Sequence, residues 1–329
     1  MNYSPLRQII LDFPLQFKKA LEFSKNIKQE GRFNKLIVCG MGGSALPADI
    51  IKTFLEEKKI DLPTYICRNY DLPFFADKNS IVFVSSYSGN TEETLSCFAQ
   101  AQKKEIKMVS FAKGGKLEKL CKENGIPFVK YPDDGVTLQP RFAIGYAVCS
   151  MLCVLINSKI IPGFIDDIKN LISNLKPASL ENQGKELAQK SKNLIPLFYA
   201  SSRYGESVAR ICKIKINENS KTQAFWNVFP ELNHNEMVGF TKLAGKFHII
   251  ILKDPEDLPR ILKRMQITRQ ILEKKEILVS EVKMEGASVL EKIFNTLITG
   301  AWMSYYLALE CGQDPIPVAM VEEFKKKMG

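Results

Sequence analysis

The chain has 329 residues, of which 45% are hydrophobic and 25% charged, and a formal net charge of +10. This composition is typical of a folded globular chain long enough for two domains, and it excludes a fibrous or largely disordered protein. The longest nearly apolar stretch, residues 143–156, is too short to cross a bilayer. The first residues, MNYSPLRQIILDF, lack the pattern of an export signal, so we expect a soluble, cytoplasmic protein.

Lysine and arginine are dispersed along the chain, and the densest basic run, residues 325–327, lies close to the C-terminus. A basic stripe interleaved with aromatic residues, which is typical of nucleic-acid-binding chains, is missing. We therefore expect neither a nucleic-acid nor a membrane partner.

Eight cysteines are scattered without a C-x-x-C pair, which indicates reduced, buried thiols. Cys149 and Cys153 lie four residues apart on a predicted helix, and we interpret them as core residues rather than metal ligands. Only two histidines occur, His234 and His248. This count excludes a zinc site built from several imidazoles, and we expect no metal site.

The first half of the chain alternates short β-branched runs with helical patterns. The spacing predicts strands at 36–39, 64–67, 81–85, 107–111 and 127–129. Pro140 begins a long predicted helix that ends near residue 156. This alternation favours a parallel, doubly wound sheet.

Residues 157–190 read as polar helices, and the strand–helix pattern then restarts. It predicts strands at 195–199, 247–252 and 276–280, with helices at 203–217, 258–273, 287–311 and 318–328. We therefore predict an N-terminal domain at 1–153, connecting helices at 154–190 and a C-terminal domain at 191–329.

A glycine-rich turn, Gly40-Met41-Gly42-Gly43-Ser44, follows the first predicted strand and begins a helix. A dinucleotide-binding turn of this kind requires an acidic residue about 20 positions later, at the end of the second strand. That strand ends at Cys67-Arg68-Asn69 instead. The missing acid argues against a nicotinamide cofactor.

A loop rich in hydroxyl groups, Ser85-Ser86-Tyr87-Ser88-Gly89-Asn90-Thr91, connects the third strand to a helix. Helix N-termini carry free N–H groups and partial positive charge, and therefore bind phosphate. Asn90 or Thr91 could instead simply cap the helix. Capping needs only one such residue, so the four hydroxyl groups within six positions favour an anion site.

His234 lies in a polar segment, Pro230-Glu231-Leu232-Asn233-His234-Asn235-Glu236, where it could transfer a proton near neutral pH. A surface turn is the alternative interpretation. His248 lies in an apolar strand and is predicted to be a core residue. Glu218 follows a predicted helix, and its spacing by itself is equally typical of a solvated helix end.

Six segments, in this order, resemble the sugar isomerase (SIS) family and most closely its bifunctional phosphoglucose/phosphomannose isomerases. They span essentially the whole chain: CGMGGSALPADI, SSYSGNTEET, PRFAIGY, INENSK, FPELNHNEMVGF and DPIPVAMVEEFKKKMG. The resemblance implies an α/β chain with two SIS domains, each a parallel five-stranded sheet flanked by helices. It also implies a homodimer with shared active sites that isomerises a sugar phosphate without a cofactor or metal.

The resemblance also assigns roles to single residues. The phosphate would be bound by Gly42, Gly43, Ser44, Ser86, Ser88 and Thr91. The catalytic residues would be Glu218 as the base, Arg141 beside the enediolate, His234 as the ring-opening group from the neighbouring subunit, and Lys325 at the ring oxygen. Lys326 replaces Lys325 if the register shifts by one residue.

A sugar-phosphate-binding SIS protein without catalytic activity is the closest alternative function. Such a protein keeps the hydroxyl loop but does not need the four catalytic candidates together, which are Glu218, Arg141, His234 and Lys325. Their joint presence favours an enzyme that interconverts glucose 6-phosphate, and mannose 6-phosphate, with fructose 6-phosphate.

Overall fold

The computed structural model describes residues 5–133 and 139–328, which form two compact units. The first unit is Phe13–Asn174, and the second unit combines the residues before Phe13 with those from Leu175 onward. Residues 1–4, which begin the N-terminal segment MNYSPLRQIILDF, and Gly329, the last residue of the C-terminal motif, lie outside the described residues. No helix in the described part of the chain is long and apolar enough to span a membrane.

Helices separate most of the consecutive strands in both units. The strands are β1 (Lys35–Gly40), β2 (Thr64–Cys67), β3 (Ser80–Ser85), β4 (Met108–Ala112), β5 (Phe128–Lys130), β6 (Ile195–Ser201), β7 (Phe225–Phe229), β8 (Phe247–Lys253) and β9 (Leu278–Lys283). Those of the first unit agree with the strands predicted from the sequence to within one or two residues.

Two helices precede the first strand, and the others lie between and after the strands. They are α1 (Leu6–Leu11), α2 (Phe13–Ser24), α3 (Leu46–Glu57), α4 (Glu92–Lys103), α5 (Gly115–Asn124), α6 (Ile144–Asn157), α7 (Ile165–Asn174), α8 (Glu181–Ser191), α9 (Arg210–Lys215), α10 (Glu236–Gly239), α11 (Pro259–Glu273), α12 (Val289–Glu310) and α13 (Ala319–Met328). Helix α9 is flanked by two π-helical turns, Gly205–Ala209 and Ile216–Ser220.

The first unit contains a parallel sheet in the order β2-β1-β3-β4-β5. Every residue of β3 and β4 is buried, because helices cover both faces of a parallel sheet. The chain proceeds to one side after β1 and to the other side from β3, so a crevice opens beyond the carboxyl ends of these two strands. Ligands of open α/β sheets bind at such a position. The predicted five-stranded parallel sheet is confirmed for this unit.

The second unit contains a parallel sheet of four strands within the described residues, in the order β7-β6-β8-β9. The prediction of five strands is wrong here, because the chain enters the 22-residue helix α12 after β9 instead of returning to the sheet edge. Strand β7 was not predicted from the sequence. It is a partly buried edge strand whose five residues form a short apolar run interrupted by Asn227.

The cysteines and His248 are largely core residues, as the sequence predicts. Seven cysteines are buried and Cys311 is exposed. His248 is 0% exposed, with its ring nitrogens 2.7 Å from the Ser191 hydroxyl and 2.9 Å from the Ser280 hydroxyl. Burial lowers the pKa of His248 to about 4, so this ring is neutral in the folded protein at neutral pH.

Candidate active site

The glycine turn after β1 packs directly on the turn that holds Arg141. Gly42 has φ +47°, a left-handed conformation that favours glycine. A Cβ atom added to Gly43 would lie 2.7 Å from the backbone nitrogen of Arg141 and 2.8 Å from the carbonyl carbon of Pro140. Glycine at position 43 therefore brings Arg141 next to the crevice between β1 and β3.

The hydroxyl loop after β3 is organised by its own side chains and by the glycine turn. Ser86 is 0% exposed, and its hydroxyl donates to the Thr91 hydroxyl at 2.8 Å while accepting from the Gly89 N–H at 3.1 Å. The Ser44 hydroxyl accepts from the Tyr87 N–H at 2.9 Å, which connects the two loops. Ser88 is exposed, and its hydroxyl accepts from the Asn90 N–H at 3.2 Å.

Helix α4 begins at this loop without a side-chain cap. Thr91 occupies the N-cap position, yet its side chain accepts no bond from the first turn of the helix. The Asn90 side chain turns away, since its amide nitrogen donates to the Ser88 carbonyl and its oxygen accepts from the Lys116 N–H. Capping therefore does not explain these polar residues, and the N-terminus of α4 keeps donors for an anion.

The corresponding crevice of the second sheet, between β6 and β8, has different chemistry. Asp254 is 0% exposed and accepts hydrogen bonds from Lys292 Nζ at 2.9 Å and Tyr204 Oη at 2.8 Å. Burial by itself would raise the pKa of Asp254, but the Glu256 N–H and the Lys292 ammonium outweigh it and keep the pKa below its ordinary value. The Lys292 ammonium is therefore already paired with a carboxylate, and the crevice of the first sheet is the better candidate for an anion site.

Glu218 lies in the π-helical turn after α9, on a well-anchored segment. The Asn219 side chain donates to the Ser304 hydroxyl at 2.9 Å, and the Ser220 hydroxyl donates to the Ser304 carbonyl at 2.8 Å, so both are bound to α12. Lys221 ends the turn with φ +57°. The Glu218 side chain itself is half-buried. Such π-helical turns occur frequently at functional sites.

His234 ends a short turn, Glu231–His234, after β7 and is exposed. Within the described residues its ring has no hydrogen-bond or ion-pair partner. The neighbouring Glu236 carboxylate accepts hydrogen bonds from Tyr199 and Asn227 instead. Glu236 is thus a structural residue, whereas the His234 ring is available to a substrate.

Glu218 and His234 lie near opposite ends of strand β7. Helix α9 runs antiparallel to the strands, so Glu218 comes just before the amino end of β7, while His234 follows the carboxyl end of β7. The five residues of β7 span about 16 Å. Within a single chain, the second unit therefore does not bring Glu218 and His234 together.

Lys325 lies on α13, whose side chains are all unburied. Its ammonium is 2.8 Å from Glu322, an exposed ion pair on the same helix. The same helix exposes four large apolar side chains: Met320, Val321, Phe324 and Met328.

A glycine pair after β4 supports the hydroxyl loop and was missed from the sequence. A Cβ atom at Gly89 would lie 1.7 Å from the Gly114 carbonyl oxygen, and one at Gly115 would lie 2.4 Å from the Ser88 carbonyl oxygen. The only sequence signal was the Gly114-Gly115 dipeptide itself. These contacts hold the hydroxyl loop against the loop after β4.

Arg68, which stands where a dinucleotide site needs an acid, is bound to a buried carboxylate. Its Nη2 atom lies 2.5 Å and 2.6 Å from the two carboxylate oxygens of Asp49 on α3. The Arg68 guanidinium therefore supports α3, and it supplies no carboxylate to accept hydrogen bonds from ribose hydroxyls.

Known proteins resemble this chain over nearly its full length. Residues 180–328 match the bacterial phospho-glucose isomerase C-terminal SIS domain. The chain is 34% identical to the bifunctional phosphoglucose/phosphomannose isomerase of Caldicellulosiruptor bescii, covering 97% of each chain. It is 34% identical to the enzyme of the same name from Aquifex aeolicus, covering 95% of this chain and 96% of that one.

A solved structure supports the fold at much lower identity. The C-terminal domain of glucosamine-fructose-6-phosphate aminotransferase from Francisella tularensis superimposes with a TM-score of 0.73 at 14% identity, covering 95% of this chain and 97% of that one. Identity of about a third over whole chains, together with the hydroxyl loop and the glycine turn at the crevice, places this chain in the family of bifunctional phosphoglucose/phosphomannose isomerases.

Proposed function

We propose that this chain interconverts fructose 6-phosphate with both glucose 6-phosphate and mannose 6-phosphate through a cis-enediolate. The observation that carries the proposal is the crevice between β1 and β3, where the uncapped N-terminus of α4, the hydroxyl loop and the Arg141 turn meet. Relatives that carry the name of this activity, at 34% identity, support it.

The phosphate end of the substrate is assigned to the crevice of the first sheet. Free N–H groups at the start of α4 and the hydroxyls of Ser44, Ser88 and Thr91 supply donors without a fixed charge. This arrangement suits a phosphomonoester that must also dissociate. Buried Ser86 orders the loop, and Gly42 and Gly43 let the backbone approach the phosphate closely.

Isomerisation requires a base and a cation at the reacting carbons. Glu218 removes the proton from one carbon and returns it to the next, which a single carboxylate can perform. Arg141 stabilises the negative charge that develops on the enediolate. Because Arg141 is 1% exposed, its charge acts where water screens it little.

Ring opening is assigned to His234 of the neighbouring subunit, with Lys325, or Lys326 at a shift of one residue, at the ring oxygen. The roughly 16 Å between the two ends of β7 supports a site shared by two chains. The exposed apolar residues of α13 support a homodimer as well, since contiguous apolar surface commonly marks an interface. The two SIS domains at 1–153 and 191–329, with connecting helices at 154–190, stay a prediction from the sequence, whereas the compact units divide after Asp12 and after Asn174.

The direct test is isomerisation of fructose 6-phosphate by the purified chain in EDTA, with glucose 6-phosphate and mannose 6-phosphate resolved as products. Formation of both supports the proposal. Formation of neither, with fructose 6-phosphate still bound, would mean a sugar-phosphate-binding protein without catalytic activity.

The shared site has its own test, in which Glu218→Gln and His234→Ala chains are mixed after dissociation. A site built from two chains regains about a quarter of wild-type activity, because half of the dimers are mixed and each has one intact site of two. A site within one chain regains nothing, since no mixed dimer then contains an intact site.

A further inference from the structure

Three cysteines that are far apart in the sequence converge at the carboxyl ends of β1 and β2. Cys39 lies in β1, Cys67 ends β2, and Cys97 lies in α4. Their sulfur atoms are all within 4.8 Å of one another, and the Cys67 and Cys97 sulfurs are 3.8 Å apart. All three residues are at most 3% exposed. We call these three residues the thiol cluster.

The separation of the sulfur atoms fits a common metal geometry. With zinc–sulfur bonds of about 2.3 Å, two sulfurs of a tetrahedral site lie about 3.8 Å apart. The Cys67–Cys97 distance already has this value, and Cys39 reaches it with a movement of at most 1 Å. The cluster therefore needs little rearrangement to surround one ion.

Backbone oxygen atoms of the loop after β2 complete the surroundings. The Asn69 carbonyl oxygen lies 3.4 Å from the Cys97 sulfur and 3.9 Å from the Cys67 sulfur. An oxygen at the fourth vertex of a zinc site would lie about 3.6 Å from each sulfur. The Asp71 carbonyl accepts from the Cys67 thiol at 3.0 Å. The loop thus directs lone pairs at the thiols from one side.

The same loop gives an entry path. Asn69, Tyr70 and Asp71 are exposed, so a single layer of surface loop separates the thiol cluster from solvent. In contrast, Cys121 is buried in the same apolar core without belonging to the cluster. Burial among apolar residues is common for free cysteines, but three converging thiols beneath an exposed loop are not explained by core packing alone.

We propose that Cys39, Cys67 and Cys97 bind one thiophilic d10 metal ion, Zn²⁺, with the Asn69 carbonyl oxygen as the fourth ligand. Three metal–sulfur bonds form as the three thiols release their protons to solvent. Soft thiolate ligands select such ions over Mg²⁺ or Ca²⁺. The site lies outside the proposed isomerisation chemistry and does not depend on the activity.

The test is a titration of the reduced, metal-free full-length chain with Cd²⁺, which reports thiolate ligation by charge-transfer absorption. We expect saturation at one ion per chain and competition by Zn²⁺. Cys97→Ser should lower the affinity at least tenfold. The loss of an outer-shell partner of a metal ligand already has an effect of this size, and this substitution removes a metal–sulfur bond itself. Cys121→Ser, from the same core, should leave the titration unchanged.

X-ray absorption of the Zn²⁺-loaded wild-type chain makes the result independent of how the variants fold. Three sulfur neighbours and one oxygen at bonding distance support the thiol cluster. Absence of saturable Cd²⁺ binding, or a zinc environment of nitrogen and oxygen alone, would overturn the proposal. Retention of full affinity in a folded Cys97→Ser chain would overturn it as well.

Discussion

Alanine at position 43 should damage catalysis through the position of Arg141. The added Cβ atom would lie 2.7 Å from the Arg141 nitrogen and 2.8 Å from the carbonyl carbon and the Cβ atom of Pro140. Carbon atoms pack at about 3.5 Å, so the two turns must separate by roughly 0.7 Å. Displacements near 1 Å at a reacting centre cost on the order of 100-fold. We therefore expect kcat/KM to fall roughly 10- to 100-fold.

The assay is steady-state isomerisation of fructose 6-phosphate, with melting temperature measured in parallel. The loss should appear in kcat, because the Arg141 charge acts on the enediolate, and KM should rise as well, because Gly43 borders the proposed phosphate site. Overpacking should also destabilise the fold by about 1–3 kcal/mol. Gly163→Ala is the matched control, since no atom lies within 4 Å of the added Cβ there. A folded Gly43→Ala chain with wild-type kcat/KM would refute the reasoning.

Three further predictions concern single side chains. Glu218→Gln should lower turnover by about 100- to 10,000-fold, as measured by proton exchange at C2. Sugar-phosphate binding, measured by calorimetry, should stay nearly intact. Normal turnover would remove Glu218 as the base. His234→Ala should slow ring-closed substrate more than an open-chain analogue, and equal loss on both would make His234 structural. Burial lowers the pKa of His248 from 6.5 to about 4. The free energy of unfolding should therefore rise by up to about 3 kcal/mol between pH 4 and 6.5. In that range the unfolded chain binds a proton at His248 that the folded chain does not bind. Denaturant titrations should lose this rise in His248→Gln; an unchanged rise in that variant would contradict the assignment.

The sequence by itself determined the class of fold and the location of the glycine turn and the hydroxyl loop. Buried parallel strands such as β3 have short, continuous apolar runs, and the turns that follow β1 and β3 are marked by glycine and hydroxyl residues. These are local signals, so they are readable without long-range contacts. The capping interpretation of Thr91 could be settled only from the direction of its side chain.

The tertiary structure decided everything that depends on which distant segments meet. The five-residue run of β7 is short and interrupted by Asn227, and its pairing with β6 is a tertiary contact that the sequence does not show. The four-stranded second sheet follows from the chain continuing into α12. The placement of Glu218 and His234 at opposite ends of β7 comes from strand direction. The convergence of the thiol cluster comes from strand order and helix packing. Adjacent parallel strands bring Cys39 and Cys67 together, and α4 packs Cys97 against them.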